Sequence, residues 1–223
     1  MNTSDRIYLP RRRVYPSRVG DVPRDGLSMW HDYTQNRGAT AQDLSGIGND
    51  GNDNAGTIAG TPKLPLFDGA DDAITVANHA SLQFGTGDFA IHVWTEAPSS
   101  GTIRTLVSKD DRGFADKWAF YLEGASGGMV VFENETTTFT STTPIDNTGR
   151  YLCSVIRKDS VLNIYVNARL ESSAADIDDY SGADDLLIGS QAGDVELFIG
   201  FLYQVYIYKK TFLNFQDAEQ DMN

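Results

Sequence analysis

Leu64–Ala97 reads LPLFDGADDAITVANHASLQFGTGDFAIHVWTEA. It parses as strand, acidic turn, strand, loop, strand. Pro65 to Gly69 is a short run ending in Phe67-Asp68-Gly69, followed by Asp71-Asp72 and then the alternating Ala73-Ile74-Thr75-Val76. Gly85-Thr86-Gly87-Asp88 opens the second half and leads into Phe89-Ala90-Ile91-His92-Val93-Trp94. Phe89, Ile91 and Val93 fall on one face of that strand; Ala90, His92 and Trp94 fall on the other. Period-two alternation of this kind marks a strand in a sheet with a buried face. Trp94 sits on the face that ought to be polar, so both faces of this strand are expected to be covered.

Working outward, the chain is a series of short strands. Gly26 to Asp32, with Leu27, Met29 and Trp30, is a first strand. Residues 33–54 read as one long loop rich in Gly, Asn and Asp, a length that usually means function or interface. Gly56 to Phe67 gives two short strands broken at Gly60 and Pro62. Thr102 to Lys109 is a strand. Lys117 to Glu123 and Gly128 to Glu133 form a hairpin through Gly124–Gly127, and Glu135 to Thr140 is a Thr-rich surface strand. Arg150–Lys158 and Val161–Asn167 are the clearest hairpin, turning at Lys158-Asp159-Ser160. Residues 171–183 read as an acidic loop. Asp185–Ser190 and Glu196–Tyr208 are the last strands, and Phe212–Asn223 is expected to be a short helix anchored by Phe212 and Phe215. About twelve strands with turn signals between them imply an all-β, two-sheet antiparallel sandwich.

Composition narrows the class. At 223 residues, with 40% apolar and 11% aromatic content, the chain suffices for one large all-β domain with a full core. Its net charge of −13 argues against nucleic-acid binding by the body of the domain. The charge is uneven. Residues 1–25 carry Arg6, Arg11, Arg12, Arg13, Arg18 and Arg24 against Asp5, Asp21 and Asp25, a balance of +3, which leaves −16 on the rest. Pro10, Pro16 and Pro23 punctuate this segment, so it reads as an extended N-terminal arm on a domain spanning 26–223. Ile7-Tyr8-Leu9 and Val14-Tyr15 are apolar pegs between charges. Pegs like these dock into grooves or add a strand to a sheet edge, on their own domain or on a neighbour. The expected partner-binding residues are therefore Arg6, Tyr8, Arg11, Arg12, Arg13, Tyr15 and Arg18, meeting other copies of the chain or another particle protein. No apolar run is long enough to cross a membrane as a helix, and the N-terminus lacks the apolar core of a secretion signal. Cys153 is the single cysteine and reads as a small buried hydrophobe. Asn2-Thr3-Ser4 and Asn134-Glu135-Thr136 match the glycosylation pattern and are read as chance matches.

Three motifs in order carry a resemblance. Asp43-Leu44-Ser45-Gly46-Ile47-Gly48-Asn49-Asp50-Gly51, the stretch from Phe67-Asp68-Gly69 to Trp94, and Gly200–Tyr208 together resemble the concanavalin A-like, laminin-G-like jelly-roll modules of the lectin/glucanase superfamily. The likeness runs from about Gly26 to Asn223 and implies a concanavalin A-like jelly roll. A glucanase of that family would place Glu-x-Asp-x-Glu on a strand facing its cleft, one carboxylate attacking and another donating a proton. No such spacing occurs; Glu133-Asn134-Glu135 is the nearest approach, so the chain is expected not to be an enzyme. His31, His79 and His92 stand beside no recognisable nucleophile. The resemblance also implies calcium, held by Asp68, Asp71 and Asp72. The family's last strand commonly supplies Asp-Glu, where this chain has Tyr203-Gln204. The alternative is that these aspartates only fix a tight turn. For sugar binding, Trp118 with Asp116 is the candidate, set against core packing of Trp118, Phe120 and Leu122 on one strand face. The loop aromatics Tyr33 and Tyr180 are further candidates, and Trp30 and Trp94 read as core.

Two functions fit. The first is a non-enzymatic structural protein of a viral, phage-like particle (decoration, minor capsid or tail-associated), docked through its arm and located in the virion after assembly in a host cytoplasm. The second is a carbohydrate-binding, lectin-like adhesion module, with or without calcium, whose partner is a cell-surface glycan.

Overall fold

A computed structural model describes residues 22–35, 40–54, 66–98, 101–109, 116–124, 127–145, 149–193 and 195–210. The chain divides into two compact units, Arg24–Thr211 and Met1–Pro23 with Phe212–Asn223. Apart from residues 22–23, the second unit lies outside the described residues. So do the arm residues Arg6, Tyr8, Arg11, Arg12, Arg13, Tyr15 and Arg18, and the helix expected over 212–223. Arg24 belongs with the larger unit. Its guanidinium lies 5.3 Å from the Trp30 ring centroid and donates to the Leu44 and Ser45 carbonyls.

Among the described residues there are fifteen strands: β1 (Leu27–Asp32), β2 (Thr40–Ala41), β3 (Gly51–Asp53), β4 (Leu66–Asp68), β5 (Ile74–Val76), β6 (Phe89–Glu96), β7 (Arg104–Lys109), β8 (Trp118–Glu123), β9 (Met129–Glu133), β10 (Thr138–Pro144), β11 (Tyr151–Lys158), β12 (Val161–Val166), β13 (Arg169–Ala175), β14 (Leu186–Ile188) and β15 (Ile199–Tyr208). The first sheet has the order β1-β15-β6-β11-β12-β13, with β4 also paired to β15; the second runs β10-β9-β8-β7-β14-β5-β3-β2. Every pairing is antiparallel. This is the two-sheet antiparallel sandwich that the patterning predicts and the jelly roll that the resemblance implies. No helix among the described residues is long and apolar enough to cross a membrane.

Alternation places the core. Phe89, Ile91 and Val93 of β6, Val205 and Ile207 of β15, and Leu162, Ile164 and Val166 of β12 point inward from the first sheet. Trp118, Phe120, Leu122, Val130 and Phe132 meet them from the second. Phe84 stacks on Phe89 at 4.4 Å and 8° between planes, and Tyr180 packs edge-on against Phe89. Each such side chain contributes about 1.5–3 kcal/mol through burial. The second face of β6 is covered too, as Trp94 suggested: Ala90 and His92 are buried and Trp94 half-buried. On that face Trp30 stacks on Tyr206 at 5.8 Å.

Three sequence expectations shift, each for a local reason. The acidic loop expected over 171–183 is in part β13. Asn167 and Ala168 both take positive φ, 49° and 66°, the geometry of a two-residue hairpin turn matched to strand twist. The strand they launch, RLESSAA, is exposed along most of its length, so no alternation betrays it. The loop expected over 33–54 contains β2 and β3. The Thr-rich strand begins at Thr138 rather than Glu135, because Asn134 Oδ1 accepts the N–H groups of Thr136 and Thr137 and folds 134–137 into a turn.

Candidate functional site

The acidic turn joins β4 to β5. Phe67 is fully buried, and its neighbours Leu66 and Asp68 therefore face outward. Asp72 Oδ2 accepts the Asp68 N–H at 2.7 Å, and Asp68 Oδ1 accepts the Ala70 N–H at 2.7 Å. Gly69 turns the chain with φ of 80°, a conformation that costs glycine little. The result gathers Asp68, Asp71 and Asp72 so that one carboxylate oxygen from each lies within 4.8 Å of the others; Asp68 and Asp71 are exposed and Asp72 is buried. Hard oxygen donors suit a hard cation such as calcium, which needs six to eight oxygens, and three carboxylates supply part of that shell.

Beside the turn lies a second feature. β4 pairs with β15, and β15 with β6, in a register that sets Leu66, Phe201 and Glu96 in one row across three strands. Asp68 and Ile199 form the next row on the same face. Gly200, between Ile199 and Phe201, is where the backbones draw close: a Cβ there would lie 2.4 Å from the Glu96 carbonyl oxygen, and its φ of 129° disfavours any side chain. Leu66 is 54% exposed and Ile199 36%, while Phe201 is half-buried. One residue on, a register shift between Leu202 and Gln204 turns Tyr203 onto this corner. Its ring centroid is 6.2 Å from that of Phe201, and its hydroxyl donates to Glu96 Oε2 at 2.8 Å. The Arg150 guanidinium lies 3.9 Å from the Tyr203 ring centroid. Burial and the bond to Glu96 push the Tyr203 phenol above its ordinary value against the pull of Arg150. Tyr203 is itself buried, so the ring that reaches solvent here is the half-buried Phe201; flanked by aliphatic side chains and hydrogen-bonding carboxylates, it can hold a ligand that is flat and apolar on one side and polar at its edges.

The other sequence-derived candidates fall elsewhere. Trp118 is a correction: its ring is fully buried, stacked at 5.7 Å on Phe84 and 5.6 Å on Phe132, so no sugar can reach its face. The burial of Phe120 and Leu122 on the same strand face is the physical reason. Asp116, half-buried, accepts the Gly182 N–H on its backbone carbonyl and has no exposed aromatic partner in Trp118. Tyr33 and Tyr180 are buried as well. Of the histidines, His31 bonds the Asn49 carbonyl oxygen, His79 bonds Ser81 Oγ, and buried His92 bonds Ser154 Oγ at 2.8 Å, burial lowering it to about 4. The amide of Asn134, in the sequon, donates to Asp178 and to the Tyr180 hydroxyl and is buried. Glu133 accepts from the Tyr121 hydroxyl. Tyr203 and Gln204 do not replace the family's acidic pair: Tyr203 engages Glu96, and Gln204 Oε1 accepts the Tyr206 hydroxyl at 2.7 Å.

The Phe201, Tyr203, Glu96 and Leu66 corner escaped the sequence reading. A signal was available: Phe201 occupies the outward phase of a strand whose inward phase is Leu202, Val205 and Ile207, and an outward aromatic needs a reason. The bulge that swings Tyr203 beside it leaves no trace in the sequence.

With the geometry in place, comparison with known proteins adds the following. The sequence model of the concanavalin A-like lectin/glucanases superfamily matches residues 68–214. A search of curated proteins gives no match. Among solved structures, a Trypanosoma rangeli sialidase in complex with sialic acid superposes with a TM-score of 0.65 at 13% identity, over 90% of this chain and 33% of that one. The binding domain of Paraclostridial Mosquitocidal Protein 1 gives 0.65 at 16% identity, over 90% of this chain and 52% of that one. The Ruminococcus gnavus IT-sialidase CBM40 bound to α2,3 sialyllactose gives 0.52 at 15% identity, over 63% and 85%. The chain thus spans about a third and a half of the first two. At these identities the likeness is one of fold.

Proposed function

Since the chain belongs to the concanavalin A-like lectin/glucanases superfamily, we propose that it is a non-enzymatic, carbohydrate-binding module whose site is the corner of β4, β15 and β6. The observation that carries this is the outward row Leu66–Phe201–Glu96, with Tyr203 bonded to Glu96 beside it. A pyranose offers a C–H face to Phe201 and hydroxyls to Glu96 and Asp68. Solved structures of the same fold include proteins described as bound to sialic acid or sialyllactose, which supports glycan recognition as the general role. Calcium, where it takes part, would be held by Asp68, Asp71 and Asp72 and would stiffen the turn next to Ile199. The test is a glycan array with the whole chain and with Phe201→Ala. Binding that drops roughly tenfold, the worth of one stacked ring, supports the reading; a wild-type chain that binds no glycan ends it.

A second reading is favoured by one observation, the +3 segment 1–25 on a body carrying −16. In it the chain is a structural protein of a viral, phage-like particle, such as a decoration, minor capsid or tail-associated protein. It docks on copies of itself or on another particle protein through Arg6, Tyr8, Arg11, Arg12, Arg13, Tyr15 and Arg18. The readings coexist if the particle adheres through the domain. Replacing Arg11, Arg12 and Arg13 by Ser should abolish assembly, read as mass in solution or incorporation into particles, and leave glycan binding intact. Unchanged assembly would remove the second reading.

A further inference from the structure

We infer that the β4–β15–β6 corner selects an uncharged sugar and rejects an acidic one; this rests on the lectin reading above and names its ligand class. Among the described residues, four carboxylates belong to the corner or its border. Glu96 and Asp68 stand in its two cross-strand rows, and Asp71 and Asp72 stand at the adjoining turn. Against them stands Arg150, its guanidinium 3.9 Å from the centroid of Tyr203, the same residue whose hydroxyl is given to Glu96. A sugar carboxylate is best recognised by an arginine fork making two parallel N–H bonds. Here the planar cation is engaged with an aromatic ring and shares its surroundings with Glu96. A carboxylate brought over Phe201 would meet Glu96 directly across the row and Asp68 diagonally. Like charges so placed disfavour the wrong partner more than they help the right one.

The same groups suit a neutral pyranose. Ionised carboxylates are acceptors only, and sugar hydroxyls supply the donors they need. Leu66, Phe201 and Ile199 give the C–H face a flat apolar seat, and all three are accessible. The residues that repel an acidic sugar are therefore those that orient a neutral one. The chain would differ on this point from fold neighbours described as bound to sialic acid or sialyllactose.

The experiment immobilises matched pairs of glycans, neutral and terminally sialylated, and applies the full chain in the presence of a calcium chelator. The expected result is retention of the neutral member about tenfold or more over its sialylated counterpart, the size of one unfavourable charge contact. The gap should narrow as ionic strength rises and narrow again in the double variant Asp68→Asn, Asp71→Asn. Phe201→Ala should lower the neutral signal about tenfold. Leu66→Ser, at an exposed position, repeats that test without touching the buried side of β15, with circular dichroism reporting the fold. Equal or better binding of the sialylated member overturns the inference and leaves the lectin reading standing. Neutral binding that survives both variants places the site elsewhere and also overturns it. No binding to either member overturns the lectin reading, and the inference falls with it.

Discussion

Asp43 and Asp72 each sit in a glycine-bearing loop with other aspartates close by in sequence, and the two loops put their carboxylates to different uses. Asp43 is enclosed by its own loop. Its carboxylate accepts the N–H groups of Trp30, Ser45, Gly48 and Asn49 and the hydroxyl of Ser45, all between 2.7 and 3.0 Å. Gly46 and Gly48, at φ of 90° and 94°, curl the backbone so that its N–H groups converge on that single acid. The next aspartate, Asp50, is turned to the Asp43 N–H rather than toward the Asp43 carboxylate. At 68–72 the opposite holds. Asp72 accepts the Asp68 N–H and Asp68 the Ala70 N–H, while the carboxylates of Asp68, Asp71 and Asp72 gather side by side, the first two exposed and Asp72 buried. Where the backbone converges on an acid, the acid is a brace; where acids converge on one another, the exposed pair Asp68 and Asp71 faces solvent.

The largest effect should come from the brace. Asp43→Ala strands four backbone donors, one of them from β1, and is expected to cost about 3–4 kcal/mol. Denaturant titration would read this directly; a loss under about 1 kcal/mol would mean that water replaces the carboxylate and that the loop is not organised by it. The acid limb sharpens the point. Burial alone would raise the Asp43 carboxyl, but the bonds from Ser45, Trp30 and Asn49 outweigh it and hold it below 3.8. A folded-state value below the unfolded one means the stabilisation is complete above about pH 4 and lost as pH falls through the folded value. Wild type should thus lead Asp43→Asn at neutral pH by a margin that shrinks below pH 4, measured as the difference in unfolding midpoint.

The sandwich was legible because alternation reports burial directly. Phe89, Ile91 and Val93 announce an inward face, and Trp94 announces that the other face is covered. β13 was not legible, since an edge strand of Ser and Ala exposed to solvent has no face to report. The same limit hid the corner. Phe201 and Glu96 are 105 positions apart and meet only through the register of β15 on β6. Trp118 misled for the converse reason: an aromatic after a turn can stack on a sugar or fill a core, and only Phe84 and Phe132 closing over it decide between the two.

A middle-sized effect separates the members of the acidic turn. Asp72 is buried and holds the Asp68 N–H, so Asp72→Ala should cost about 1–2 kcal/mol. Asp71 is exposed, and Asp71→Ala should cost under about 0.5 kcal/mol. Equal costs would make the turn a second brace and erase the contrast with Asp43.

The smallest expected effect is calcium's. The turn offers three carboxylates; Asp68 and Asp72 already each accept a backbone N–H, and Tyr203-Gln204 adds no acid from β15. A site so incompletely furnished should bind calcium with a dissociation constant on the order of 1 mM, at the weak end for protein sites. Tenfold excess of calcium over that constant would then stabilise the fold by about 1.4 kcal/mol, visible as a small rise in the thermal midpoint that a chelator reverses. Asp71→Asn should remove the rise while leaving the calcium-free midpoint unchanged, because Asp71 contributes to the cluster and little to the turn. A rise that survives this substitution would move the cation to another part of the molecule. No rise at all would mean that three carboxylates converge here without a cation to hold, and that the turn, like the Asp43 loop, serves only its own backbone.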